Sequence, residues 1–489
     1  MNIASLQANA DRTFDTLMRA GDETPLISSF AARRPTVEER LSTGKALRAK
    51  ISRGAHARYE RHRDRLDPVE ILERQNKGRV EKLVPVRYAR MLASPFAFLR
   101  GSAAVMAADL SHTPVTGLAV GACGDMHVSN FGVFASAERN LIFAINDFDE
   151  IHPGPWEWDL KRLAASAAVA IRFQGGDKEA SESAARETVR SYRKRMRRYA
   201  EMGYLEVWYD RIDERAVLDA LSPKARRNAE RIMDKARSKG NLGVLEKLTE
   251  QVDGEHRIIE DIPLIVRETH TDHGMPAEVA LDRMLHSYLA SLTVDRRRLL
   301  ARYRIVDSVR KVVGVGSVGT GCWVVLLQGV DGDDPLFLQV KQAQESVLAP
   351  YVDYKLTFDN QGERVVVGQR LTQGSPDIFL GWGEADNVQF YVRQLADMKG
   401  SVRFSERDDQ GLEDFEEYCG LCGWALALAH AKSGDPAMIA GYCGNSDALD
   451  EAIGKFALAY ARQTEHDHDV LTKARRTGRI KVASEQLVK

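Results

Sequence analysis

The chain has 489 residues, 44% of them hydrophobic, with 37 Gly and 15 Pro, the make-up of globular material long enough for two or three domains. Its 69 Lys and Arg nearly balance 70 Asp and Glu, for a formal net charge of -1, which excludes a globally basic polyanion binder and leaves any basic footprint local. Cys123, Cys322, Cys419, Cys422 and Cys443 are too scattered for a disulfide framework, and no stretch supplies a signal peptide or the roughly 18 uninterrupted apolar residues of a membrane span, so a cytoplasmic protein with no membrane partner is expected.

In chain order, residues 1–90 read as a polar, locally basic helical extension. Arg34-Pro35-Thr36-Val37-Glu38-Glu39 places Pro at a first helical position with acids in the first turn, a helix start. Arg53, Arg58, Arg61, Arg63 and Arg65 are interleaved with Glu60, Asp64 and Asp67, which predicts a solvated helix face. Residues 95–110 read as one helix, with Phe98, Val105, Met106 and Leu110 on its apolar side, and residues 117–122 as a short buried strand.

The densest chemistry follows: Cys123-Gly124-Asp125-Met126-His127-Val128-Ser129-Asn130, the apolar run Leu141 to Ile145, Asn146-Asp147-Phe148-Asp149-Glu150, and Trp156-Glu157-Trp158-Asp159-Leu160. Each piece alone is ordinary turn sequence. In this order they predict two acidic loops held side by side by paired strands. Such loops offer hard oxygen ligands to a divalent cation and a separate carboxylate to an acceptor hydroxyl.

Beyond them the chain turns helical. Lys178 to Met202 carries a core stripe of Val189, Tyr192, Met196 and Tyr199, backed by Arg190, Arg193, Lys194, Arg195, Arg197 and Arg198. Residues 203–300 hold helices broken at Ser222-Pro223, Gly240 and Gly254; His270, Asp272 and His273 read as loop, because no regular element there fixes ligand geometry. Ile305 to Val313 is then a strand, Gly314 to Gly321 a small-residue turn, Cys322 to Leu327 a strand, Asp331 to Pro335 a turn and Leu336 to Lys341 a third strand. Small residues let backbone N–H groups approach phosphate oxygens, and a lysine at the end of the third strand can reach the same oxygens. Glu345 is the nearest acid to pair with Lys341, with Asp377 second. Tyr418 to His430 reads as the last core helix, with a C-cap at Gly434; Glu465 to Asp469 reads as solvated surface and the tail from Lys473 as frayed.

The run G-D-x-H-x-x-N, the apolar strand, D-F-D and W-D-L resemble the catalytic and metal-binding loops of kinase-like phosphotransferases, notably the aminoglycoside and choline kinase branch. The whole chain resembles an uncharacterised bacterial family, domain of unknown function 2252, through Ser94-Pro95-Phe96 with Arg100-Gly101, the acidic loops, Gly316-Ser317-Val318-Gly319, and Ala429-His430-Ala431 with Ser433-Gly434-Asp435. That family supplies no activity. The kinase-like resemblance implies ATP and Mg²⁺ as cofactors and an unidentified hydroxyl-bearing acceptor. By it, Asp125 would accept the hydroxyl proton, His127 would brace the loop, and Asp159 would cap it by accepting backbone N–H bonds. Asn130 and Asp147 would hold Mg²⁺ and Asp149 a second ion. Lys341 would neutralise phosphate charge beneath a cover that includes Gly316, Ser317, Val318 and Gly319. Cys123 stands where that pattern commonly has His, and Asp149 replaces the familiar Gly of the metal loop.

In kinases the glycine loop and its lysine precede the catalytic Asp; here they follow it. The implied architecture is therefore an α/β (α+β) protein with a kinase-like two-lobed fold in circularly permuted order: a 1–90 extension, a 91–300 large-lobe part with both acidic loops, a 301–400 small-lobe-like β-rich domain and 401–489 helices completing the large lobe. If residues 305–400 were instead an unrelated domain, Val365 to Arg370 would be its central strand. The same site also admits nucleotidyl (AMP) transfer, or nucleotide binding without turnover. Nucleic acid is not an expected partner, since Arg53 to Arg65 and Arg190 to Arg198 have only charge in its favour.

Overall fold

The computed structural model describes residues 33–484 apart from 239, 272–273, 331–333, 355–357, 396–397 and 402–410. The Asp272–His273 pair and the start of the turn at Asp331 lie outside the described residues. The strands are β1 (Ala119–Ala122), β2 (Phe131–Ala135), β3 (Leu141–Ile145), β4 (His152–Pro155), β5 (Ile212–Asp213), β6 (Thr249–Val252), β7 (Glu255–Ile258), β8 (Ile265–Val266), β9 (Arg304–Lys311), β10 (Cys322–Gln328), β11 (Pro335–Gln342), β12 (Gly381–Ala385) and β13 (Val388–Gln394). The helices that frame them are α1 (Trp156–Phe173), α2 (Lys178–Glu201), α3 (Gln361–Thr372), α4 (Gly411–Ser433) and α5 (Ala448–Arg476). The result is a mixed α+β fold in which, among the described residues, every strand pairing is antiparallel.

The largest sheet is six-stranded, in the order β12-β13-β11-β10-β9-β8. Both of its faces are covered. Val324 and Leu326 pack with Val309, Phe337 and Leu245, whereas Val325 and Leu327 pack with Met284, Tyr288 and Leu292. This double burial explains why β10 reads as a continuous apolar run. The main core is helical. Helices α1, α2, α4 and α5 enclose it, and α1 is buried on all sides, its Glu157, Asp159, Lys161 and Arg162 included.

The stripe foreseen on α2 is buried. Part of its basic face is structural too: Arg193 pairs with Asp450 at 2.6 Å, and the Arg195 guanidinium lies 3.3 Å from the Trp424 ring centre. Several expectations are corrected. Thr36, not Pro35, caps the first helix among the described residues, Val37–Ala46, through a capping box with Glu39. Residues 95–110 form two helices, Pro95–Gly101 and Ala103–Leu110, broken at Ser102 (φ -120, ψ 37). The Arg53 to Arg65 segment has only a short 3-10 turn, Arg53–Ala57, and Arg65 is buried between Asp109 and Asp467, 2.6 Å from each. Val365 to Arg370 belong to α3, whose Asn360 cap accepts N–H bonds from Gly362 and Glu363; packing overrides the β-propensity of three consecutive valines.

Helix α4 is not the last core helix. Gly434 N–H donates to His430 O at 2.8 Å, Asp435 caps a further helix, Pro436–Cys443, and α5 follows in the same core. Within α5, Glu465 holds Arg172 and Asp467 is buried, so that stretch is not solvated surface. The tail is not frayed over its described length: α5 runs to Arg476, Arg479 bonds Asp67 and Glu73, and Ile480 is buried. Among the described residues no helix is long and apolar enough to cross a membrane.

Candidate functional site

Strand β1 runs into the Gly124 turn, where φ is +71, a conformation that costs glycine least. The turn hangs from helix α1. Asp159, in the first turn of that helix, accepts the backbone N–H groups of Cys123 at 2.6 Å and Gly124 at 2.9 Å. His430 Nε2 lies 3.3 Å from the same carboxylate, and its Nδ1 lies 2.9 Å from the Tyr192 hydroxyl. One helical turn further, Arg162 donates to Asp125 Oδ1 at 2.5 Å, leaving Oδ2 3.8 Å from His127 Nε2. Burial raises the Asp125 carboxyl above its ordinary range, although Arg162 and Arg100 pull it down. Burial also holds His127 well below the usual imidazole value, so the ring is neutral at pH 7.

The β2–β3 hairpin brings the second loop alongside. Phe131 pairs with Ile145, and Asn146 N–H donates to Asn130 O at 2.9 Å. The Asn130 amide nitrogen donates at 3.3 Å to the backbone carbonyls of both Asp125 and Asp147. Two carbonyl acceptors fix the amide orientation and leave its oxygen as the remaining ligand atom.

Strand β11 supplies Lys341 from the far half of the chain. Its Nζ lies 2.5 Å from Asp149 Oδ2 and 3.4 Å from Asp147 Oδ1, and Tyr391 of β13, in register with Lys341, donates to Asp149 Oδ1 at 2.5 Å. Burial disfavours each of these charges. The Lys341 ammonium nevertheless overrides it at Asp149, whose pKa falls to about 2, and the two carboxylates hold Lys341 well above its ordinary value. Asp147 moves up, from burial and the neighbouring Asp149 charge. Arg364 of α3 fastens the loop from behind, through the carbonyls of Asp149 at 2.9 Å and Ile151. Glu345 is not the partner of Lys341: it is exposed, and the lysine turns to Asp147 and Asp149 instead. Asp377 accepts the N–H groups of Phe379 and Gln394.

The small-residue turn lies against both loops. A side chain at Gly316 would stand 3.2 Å from Arg100 O and 3.8 Å from Asp125 Oδ2, and Ser317 Oγ donates to Asp149 Oδ2 at 3.3 Å. Val318 does not face the cleft; it is buried against Leu83 and Val86. Gly319 packs on Arg79 and accepts the Val80 N–H at 2.7 Å, while Arg90 donates to Gly314 O at 2.6 Å. The N-terminal segment thus pins this turn.

Sequence reasoning missed several cleft residues: Arg79, Arg87, Arg100 and Glu150 line it beside Asp125, Asn130, Asp147 and Asp149, and Arg162 holds Asp125. Arg162 left a readable signal, as a cation beside Lys161 at the head of the uncharged run Leu163 to Ile171. Burial lifts Glu150 to about 7, against the pull of the Val347 N–H and Arg364. A carboxyl raised in the folded state contributes its stability below its unfolded pKa of about 4.3 and loses it as pH rises through about 7. Stability should therefore fall between about pH 4 and pH 7 by on the order of 1–2 kcal/mol through this group, allowing for its partial exposure. Urea titrations of wild type and Glu150→Gln across that range check this, and the variant should show the smaller fall.

The donor set suits Mg²⁺, which binds through one or two carboxylates plus phosphates and waters. Asp147, 39% exposed, and the Asn130 carbonyl oxygen are available. Asp149 has both oxygens engaged by Lys341, Ser317 and Tyr391, so its contacts make it the lysine's counter-ion rather than a second metal ligand. Among the described residues no three His, Cys, Asp or Glu side chains form a metal cage by themselves.

The chain matches, over residues 79–474, a family described as uncharacterized protein conserved in bacteria, DUF2252. It belongs to that family. No curated protein and no solved structure matches it. The DUF2252 span opens at Arg79 and takes in both acidic loops, Lys341 and the arginines of the cleft.

Proposed function

We propose that this DUF2252 chain is a Mg²⁺-dependent phosphotransferase that moves the γ-phosphoryl group of ATP to a hydroxyl acceptor, in a kinase-like two-lobed fold of circularly permuted order. The observation that carries the reading is the convergence of Lys341, Asp147, Asp149, Asn130 and Asp125 on one cleft, with Gly316 and Ser317 laid against it. The order strand, glycine turn, strand, lysine strand, helix, over β9 to α3, supports it as the sequence of a kinase small lobe.

In this reading Asp125 takes the acceptor's hydroxyl proton as the acceptor oxygen bonds to the γ-phosphorus and the bond to the ADP oxygen breaks. Burial raises the basicity of Asp125 and Arg162 fixes its direction. Lys341 would exchange part of its contact with Asp149 for phosphate oxygens, and Asp147 with Asn130 would hold Mg²⁺, which when bound would supply neutralisation of phosphate charge.

The test is product analysis after incubation with ATP, Mg²⁺ and a metabolite extract as acceptor source. ADP is the expected product, and Asp147→Asn should cut its formation by at least about 10²-fold. Pyrophosphate would indicate nucleotidyl transfer, and ATP binding that survives Asp125→Ala without either product would indicate a binding protein; both outcomes overturn the proposal.

A further inference from the structure

We propose that Arg79, Arg87 and Arg100 form an oxyanion subsite in the cleft of Asp125, Asp147 and Asp149, shaped to take one phosphate group. The subsite is read from the arginines themselves; only its place in a transfer reaction rests on the reading above.

Arg79 precedes the turn Glu81–Leu83, Arg87 lies in the helix Val84–Met91 and Arg100 in the last turn of Pro95–Gly101. All three line the cleft. Arg87 is wholly buried, yet its guanidinium meets only neutral acceptors: Asn76 Oδ1 at 2.6 Å, Gln75 Oε1 at 2.9 Å and Gly101 O at 3.0 Å. Arg79 donates to Val318 O at 2.6 Å, and the Arg100 side chain makes no hydrogen bond among the described residues. The Nε–H of each of the three is buried and, among the described residues, without a partner.

A buried charge without a counter-ion is costly unless something of opposite sign joins it. The nearby acids are committed elsewhere: Asp125 to Arg162, Asp149 to Lys341 and Glu150 to the Val347 N–H. Burial accordingly lowers all three arginines, Arg79 to about 10. The void beside them leaves about 60 Å³ for the centres of water-sized groups, several times the roughly 10–15 Å³ that one bound water needs, which is room for a phosphate group. Guanidinium forks match phosphate oxygens in pairs.

Inorganic phosphate is the probe. Calorimetric titration of the full chain should show saturable phosphate binding, and Arg100→Ala and Arg79→Ala should each weaken it at least about tenfold, the loss of one charge-assisted contact. Arg100→Lys, which keeps the charge but not the fork, should fall between. Arg190→Ala, on the exposed face of α2, should change nothing, and melting curves establish that each variant is folded. Repeating the titration with a non-hydrolysable ATP analogue and Mg²⁺ assigns the source: phosphate that still binds marks an acceptor phosphate, and phosphate that is displaced marks a nucleotide phosphate. Absence of phosphate binding, or binding indifferent to Arg100→Ala and Arg79→Ala, overturns the subsite. Neither result depends on ADP release, so the subsite and the phosphotransfer reading fail separately.

Discussion

Replacing Lys341 with methionine is expected to lower stability by about 3 kcal/mol, read from urea titration at pH 7, and to abolish any ADP release. Lys341 is 3% exposed and stands between two carboxylates that are 25% and 39% exposed. Removing it strands like charges side by side. The low end of the usual range for a broken buried pair applies, because water reaches the acids. Asp149→Asn in the Lys341→Met background should recover part of the loss, giving a coupling energy of about 1–3 kcal/mol in a double-mutant cycle; strict additivity would refute the pair. The pH dependence carries a sign. Asp149 is depressed to about 2 in the folded chain, against about 3.9 unfolded. Its contribution is therefore full above about pH 5 and disappears as pH falls from about 4 to about 2. Asp149→Asn should lose this part of the acid sensitivity.

The second large effect is expected at Asp159. Asp159→Ala should destabilise the chain by about 3–5 kcal/mol and remove ADP release, although Asp159 stays out of the cleft. The substitution leaves the N–H groups of Cys123 and Gly124 without their acceptor and takes away the carboxylate beside the buried His430. The Asp125 turn, fixed to α1 by those two bonds and by Arg162, would lose its direction. Asp159→Asn separates the roles. It keeps one acceptor oxygen and turns an amide toward the other N–H, so the stability loss should shrink while the loss of activity persists. Denaturant titration paired with product analysis reads both. A stability change below about 1 kcal/mol for Asp159→Ala would show that the turn is held by other means.

The two acidic loops were legible because their logic is local. A Gly-led turn, an apolar run of strand length and a second acidic turn permit little besides a hairpin that sets Asn130 against Asp147. The stripe on α2 and the strand-turn-strand at Gly314 to Gly321 were readable on the same ground of spacing. Glu345 does not pair with the lysine, because proximity along a chain is not proximity in space: beyond the end of β11 it faces solvent, while Lys341 faces inward. The arginine wall is hidden in the sequence for a related reason. Arg79 and Arg87 sit amid other charges and look like the solvated cations around them, Arg100 stands alone in a largely apolar stretch with nothing to mark what it faces, and only the packing of three short helices under the glycine turn turns them into a cleft. Val365 to Arg370 show the remaining limit, since three valines suit a strand until a capped helix has an apolar surface to lie on.

By itself the sequence determined the turns, the strand and helix periods and the acidic hairpin, all of which depend on sterics and hydrogen bonding among residues within one or two turns of each other. Only the tertiary structure decided which charges meet. Lys341 and Asp149 stand 192 positions apart, and Arg65 and Asp467 stand 402 apart. A buried charge is tolerable only beside its opposite, and which opposite comes within reach is set by how every intervening element packs.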